Sequence, residues 1–311
     1  MGYFGWSSPL IYKGNAYVGL ASECDKPLVS AGLVEISLAS HQVIHRFNSS
    51  TPYPNGSSIW SSPALNSSSD TIYITTGNPY GNLDSTYGEA IVSLNASTLA
   101  LGHVWKVPLA ERIRDSDFGA TPTLYTPSGF PGLVTAASKN GYLYTWYQSN
   151  LTLLWQKDMT TSVYVGTTTE SQGRIFGVTP DASVHGTAFE STVFSINPLT
   201  GAFHWRIGLP GDVEGTYGAP MWVNGVLLVN DGSYLYLIDA SNGTILDESK
   251  PGGNMVPPVS AWGNEILVGH GRNLTAYVVG SSSGGGNSGL AGGTPLGGAS
   301  TDPVLARVRD H

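Results

Sequence analysis

Three tryptophans, Trp105, Trp155 and Trp205, stand 50 residues apart, and each closes a segment of the same build. Ser93-Leu94-Asn95 leads toward Trp105, Thr145-Trp146-Tyr147 toward Trp155, and Ser195-Ile196-Asn197-Pro198-Leu199-Thr200-Gly201 toward Trp205. A fourth copy, Leu237-Ile238-Asp239-Ala240-Ser241-Asn242-Gly243, carries Asp247 where the tryptophan would stand. Proline-containing lead-ins recur as well: Trp6-Ser7-Ser8-Pro9, Trp60-Ser61-Ser62-Pro63, Phe118-Gly119-Ala120-Thr121-Pro122, Tyr217-Gly218-Ala219-Pro220 and Val256-Pro257-Pro258. Runs such as Thr71-Ile72-Tyr73-Ile74-Thr75 and Val226-Leu227-Leu228-Val229 follow them, with the β-branched and aromatic content of strands. One such unit cannot bury both faces of its sheet, so a chain built this way must stack its repeats.

The period of roughly 40 to 60 residues is that of one four-stranded blade, which predicts an all-β chain, a β-propeller of four-stranded antiparallel blades. Six units are visible, beginning near residues 6, 60, 118, 164, 217 and 257. The regularly spaced tryptophans are expected to fill the gaps between blades. The sixth unit stops near Val279 after its third strand, so the ring is expected to be incomplete in this chain or closed in an unusual way. The propeller is expected over residues 1–279, followed at 280–311 by a Gly/Ser/Pro-rich tail or linker with too few large apolar side chains to fold. The glycine run at Gly284–Gly289 has no strand before it and no helix after it, so it is not a phosphate loop.

Charge narrows the possible partners. Against 22 acidic residues the chain has 14 Lys and Arg, for a net charge of −8, with no basic cluster of the kind a phosphate backbone requires. Nucleic acid is therefore not an expected partner. No run of 18 apolar residues exists, so no transmembrane segment is expected, and Met1-Gly2-Tyr3-Phe4 does not begin a signal peptide. The single cysteine, Cys24, cannot form an internal disulfide. Export is argued instead from seven Asn-x-Ser/Thr triplets, at Asn48, Asn55, Asn66, Asn95, Asn150, Asn242 and Asn273, which are expected N-glycan sites of an extracytoplasmic chain.

The repeat resembles the quinoprotein, or PQQ-type, β-propeller repeat over residues 6–279, and is most similar to the branch of polyvinyl-alcohol and other alcohol dehydrogenases, whose ring has seven or eight blades. That resemblance implies a PQQ-dependent dehydrogenase oxidising a small-molecule or polymeric alcohol, with pyrroloquinoline quinone and calcium as cofactors. Gly56-Ser57-Ser58-Ile59-Trp60 matches the motif whose tryptophan lies beneath the quinone, implying that role for Trp60, although Trp6 occupies the same repeat position. Thr76-Gly77-Asn78-Pro79 resembles the calcium-ligand turn, implying Asn78 as a ligand; Asn-Pro is also an ordinary turn former. Asp115-Ser116-Asp117-Phe118-Gly119 resembles the segment bearing the base, implying Asp117 as catalytic residue and metal neighbour.

Two carboxylates one residue apart on an extended segment are expected to point to opposite faces. Lys139-Asn140-Gly141-Tyr142-Leu143-Tyr144 resembles the segment whose cation touches the quinone oxygens, implying a cofactor-binding and catalytic role for Lys139, while Asn-Gly alone would explain a hairpin turn. Glu23 resembles the calcium-binding glutamate, at a longer spacing from the next strand. Against the enzyme reading, the chain lacks the adjacent cysteine pair and the haem-attachment motif of many relatives. The alternative is a non-catalytic extracytoplasmic propeller that binds a protein or polysaccharide as a surface or assembly scaffold, and a truncated relative is a third reading. The seven histidines are assigned no role.

Overall fold

The computed structural model describes residues 2–24, 26–79, 84–211, 218–250, 258–262, 265–270, 272–279 and 299–300. Apart from a single 3-10 turn, Leu109–Glu111, the regular structure of these residues is β-strand. Among the described residues six separate sheets follow one another along the chain, close to the six sequence repeats. They fall into two compact units, residues 1–165 and 166–311, with three sheets each.

In the first unit the opening sheet pairs Asn15–Ser22, Gly32–Ser37 and Val43–Asn48 in order, with the short strands Tyr3–Phe4 and Leu10–Tyr12 both lying against Asn15–Ser22. The second sheet runs Ala64–Asn66, Thr71–Thr75, Ala90–Asn95, Leu101–Lys106, and the third Thr123–Tyr125, Leu133–Ala137, Tyr142–Tyr147, Leu153–Asp158. The second unit repeats the plan in Thr169–Ser171 to Phe203–Gly208, in Met221–Val223 to Ile245–Ser249, and in Ser260–Trp262 to Asn273–Val279. Its last sheet gains a fourth strand of two residues, Ala299–Ser300, parallel to Asn273–Val279. The remaining residues of the expected tail lie outside the described residues.

One irregularity recurs and explains the repeat. In each of the first five sheets the register shifts by one residue between the third and fourth strands, at Glu35/Ile36, at Val92/Leu94, at Thr145/Trp146, at Ser195/Ile196 and at Leu237/Ile238. The residue paired just before that bulge is His45, Val104, Trp155, Trp205 and Asp247 in turn, so Asp247 does occupy the position of Trp155 and Trp205, while Trp105 pairs with Ile91 one step before its own bulge. A bulge bends the outer strand and sharpens its local twist. Trp105 packs on Phe118, Tyr144 and Trp146 of the next lead-in and sheet. In the second unit Trp205 joins Phe176, Leu227, Val229 and Tyr236 across two sheets. The middle strands are buried on both faces: all of Leu133–Ala137 and all of Val226–Asp231 are buried.

Two buried carboxylates contrast in how they are satisfied. Glu35 accepts from Asn15 Nδ2, from Tyr17 Oη and from His45 Nδ1 at 2.6, 2.9 and 2.8 Å. Asp231 accepts only from Ser191 Oγ at 2.8 Å, and its Oδ2 is buried without a partner among the described residues. Burial pushes the Asp231 carboxyl from 3.8 up to about 6, against the Ser191 hydrogen bond and with help from the charge of Glu190. Because the folded state holds this proton more tightly, the stability it contributes is complete below pH 3.8 and lost as pH rises through about 6. Asp231→Asn should therefore raise unfolding free energy by about 2 to 3 kcal/mol at pH 7.5 and have little effect at pH 4. Urea titrations at both pH values check this, and an equal effect at the two would contradict it.

Candidate functional site

The lead-in to the third sheet and two neighbouring turns of the first unit converge on one buried carboxylate. Lys139 lies in the hairpin turn between Leu133–Ala137 and Tyr142–Tyr147, and its backbone N–H donates to the Asp117 carbonyl at 2.8 Å, tying the turn to the lead-in. Its ammonium donates to Asp117 Oδ2 at 2.7 Å and to Asp115 Oδ2 at 3.0 Å. On the other side the backbone N–H of Asn78 donates to Asp117 Oδ1. The same ammonium stands 5.3 Å from the ring centroid of Trp60. Trp60, Asn78, Asp117 and Lys139, all implied by the same family resemblance, are thus one cluster.

Trp60 owes its position to glycine. A Cβ on Gly119 would lie 2.6 Å from Trp60 Cζ2 and 2.7 Å from Val165 Cγ1, so only a residue without a side chain lets the indole lie against the lead-in. A Cβ on Gly77 would likewise lie 2.7 Å from Asp117 Oδ1. Trp6, the equivalent residue of the preceding repeat, is 54% exposed and spends its Nε1–H on the Ser22 carbonyl. The repeat position alone does not separate these two tryptophans, and the glycine opposite Trp60 does.

The expectation that Asp115 and Asp117 face opposite ways is corrected. Asp115 has a φ of +64°, so the segment is not extended there, and both carboxylates reach the same ammonium. They differ in burial instead: the Asp115 side chain is 59% exposed and that of Asp117 10%. Glu23 is not part of this cluster, being exposed and without a side-chain hydrogen bond or ion pair among the described residues.

The electrostatics follow from that burial. Desolvation is the largest influence on Asp117 and pushes its carboxyl up, opposed by Lys139 and by the Asn78 N–H. For Lys139 desolvation is again largest and works downward, but Asp117 and Asp115 outweigh it and hold the ammonium above the ordinary lysine range. The pair is a carboxylate made more basic by burial beside a lysine that stays charged.

A flat half-buried indole, a fixed ammonium and a buried carboxylate fit a planar, electron-accepting cofactor bearing carbonyl and carboxylate oxygens. Calcium fits less well. It takes six to eight oxygen ligands, whereas Asp117 and Asn78 are the two expected ligands the structure brings together, and both Asp117 oxygens already accept hydrogen bonds. Among the described residues no group of three or more His, Cys, Asp or Glu could hold a metal ion.

No family model and no curated protein sequence matches this chain. Solved structures do. Quinohemoprotein alcohol dehydrogenase ADHIIG from Pseudomonas putida HK5 superposes with a TM-score of 0.67 at 11% identity, over 86% of this chain and 55% of its own. The fold is a β-propeller. A europium-containing methanol dehydrogenase matches with a TM-score of 0.67 at 12% identity, covering 84% of this chain and 64% of its own. BamB from Moraxella catarrhalis matches at 0.58 and 14% identity over 86% and 67%. This propeller thus spans 55% and 64% of the two dehydrogenases, and it shares its blade plan with proteins of quite different names.

Proposed function

We propose that the Trp60, Asp117, Lys139 cluster is an alcohol-oxidising site that works with pyrroloquinoline quinone. The observation that carries this reading is the Lys139–Asp117 pair at 2.7 Å beside the Trp60 face, assembled from separate repeats and held by Gly119. Trp60 and Lys139 would hold the quinone, which when bound supplies a two-electron acceptor for hydride from the alcohol carbon. Asp117 Oδ2 takes the hydroxyl proton, and its raised proton affinity makes it a better base than an exposed carboxylate. Lys139 keeps a positive charge where negative charge grows. Asn78 N–H fixes the second Asp117 oxygen, so the carboxylate is held in one orientation. Among the described residues calcium finds no group of three or more His, Cys, Asp or Glu side chains, and the proton transfer described does not require it.

The purified chain supplied with pyrroloquinoline quinone, a primary alcohol and an artificial electron acceptor should reduce that acceptor only when all three are present. No reduction, with no cofactor absorbance retained after gel filtration, would overturn the reading. Gly119→Ala is expected to push Trp60 aside and weaken quinone affinity at least about tenfold, roughly the value of one lost aromatic contact, with the thermal midpoint little changed. Unchanged affinity in an equilibrium titration would remove Trp60 from the site.

A second reading, a non-catalytic binding scaffold, is supported by the likeness to BamB and by Trp262, which is 86% exposed on a short strand. A protein partner retained through purification in the absence of any quinone binding would favour it over the first.

We also propose an extracytoplasmic location with glycans on a subset of the seven triplets. Asn95, Asn150 and Asn242 are exposed, each accepting a backbone N–H two residues on at its Oδ1. Asn66 spends its Nδ2 on Gln148 Oε1 at 2.7 Å. Glycopeptide mapping after secretion from a eukaryotic host should find Asn66 bare and the other three modified, and a glycan on Asn66 would contradict the assignment.

A further inference from the structure

Glu89 is a buried carboxylate that no sequence motif singles out, yet it bonds to both segments that carry the cluster. Its backbone N–H donates to the Gly77 carbonyl at 2.9 Å, immediately before Asn78. Its Oε1 accepts from Ser116 Oγ, immediately before Asp117. Its Oε2 pairs with Arg112 Nε at 2.9 Å in the same lead-in, and its carbonyl accepts from Val107 N–H at 2.9 Å where that lead-in begins. Arg112 is itself held by Asp84 at 3.0 Å and by the Val107 carbonyl at 3.0 Å. Glu89 adopts this place with a φ of +54°, in the left-handed region that non-glycine residues occupy at a cost, and it is only 5% exposed. A buried carboxylate is tolerated where both its oxygens are bonded, and these bonds fall on the two turns that grip Asp117.

We propose that Glu89 is a positioning residue for this site, setting the Asp117 carboxylate through Ser116 and the Asn78 N–H through Gly77; the inference rests on the alcohol-oxidation reading. Misplacing a base by about 1 Å can cost about a hundredfold in rate, so a residue that fixes both sides of Asp117 should act on turnover without touching substrate. The Ser116 hydroxyl is the link that can be cut alone, since Ser116→Ala leaves the Glu89–Arg112 pair in place.

Two measurements on the full chain test this. In steady-state turnover, Ser116→Ala and Glu89→Ala should each lower kcat about tenfold or more with KM within about twofold of wild type, and the double variant should be no slower than Glu89→Ala. Site-resolved amide exchange should show the Asn78 and Lys139 amides opening at least about tenfold faster in both variants, with Ile91–Leu94 unchanged. If Glu89→Ala does not fold, Ser116→Ala decides alone. Ser116→Ala with wild-type exchange at Asn78 and Lys139 would overturn the positioning role. A wild-type chain without turnover would refute the oxidation reading, and faster exchange in Ser116→Ala would then still support the coupling of Glu89 to both turns.

Discussion

Asp117→Asn is expected to lower alcohol-dependent turnover by roughly 10² to 10⁴, the range a positioned general base contributes, while the protein remains folded. Asparagine matches the shape of the carboxylate and can still accept the Asn78 N–H at Oδ1. It cannot take a proton from an alcohol. The cost to folding should be small because two changes offset each other: the ion pair with Lys139 is lost, and so is the desolvation of a buried charge that pushes Asp117 up. Lys139 keeps Asp115 at 3.0 Å, so its ammonium is not left alone. Asp115→Asn supplies the matched control. With its side chain 59% exposed, Asp115 should affect turnover less than about tenfold. A residual rate above a tenth of wild type in Asp117→Asn would place the base elsewhere.

The largest stability effect is expected at Trp146. Its side chain is fully buried and touches Trp105 at a ring-centroid distance of 5.1 Å, Phe118 at 6.0 Å and Tyr144 at 5.6 Å. That cluster joins the second sheet to the third. Trp146→Ala removes the centre of it and should cost about 3 to 5 kcal/mol, the usual range for truncating a large buried aromatic. Phe118 directly follows Asp117, so the loss should reach the cluster too, as a fall in turnover below the unfolding transition. Trp262→Ala is the comparison, an 86% exposed tryptophan whose removal should change stability by no more than about 0.5 kcal/mol. Equal losses in the two variants, measured by chemical denaturation, would contradict the packing role assigned to the repeat.

The blades were legible because strand alternation and the closing position are local properties of the chain. The spacing of Trp105 and Trp205 reported inter-sheet packing directly, and even Asp247 sits at the register that the alignment of repeats gave it. The cluster was legible residue by residue only through its likeness to known motifs. The repeat position does not distinguish Trp60 from Trp6; the resemblance of residues 56–60 does, and its physical basis is Gly119, which is 59 residues from Trp60 and meets it only in three dimensions. Asp115 was misplaced because a left-handed residue in an otherwise extended lead-in reverses the facing rule for strands. Glu89 follows Tyr87-Gly88 as an unremarked turn residue, and its importance comes from carbonyls and hydroxyls supplied by distant turns. Asp231 reads as the polar end of a strand, and its missing partner is visible only from the packing around Ser191 and Tyr236.

Equilibrium binding of pyrroloquinoline quinone, followed by the cofactor's own absorbance, tests the proposed site most directly. Wild type should bind with one site per chain, and both Trp60→Ala and Lys139→Met should weaken that binding by at least about tenfold, one for the lost aromatic face and one for the lost ammonium. No saturable binding by wild type, or equal binding by all three proteins, would contradict the assignment of Trp60, Asp117 and Lys139 to a quinone site.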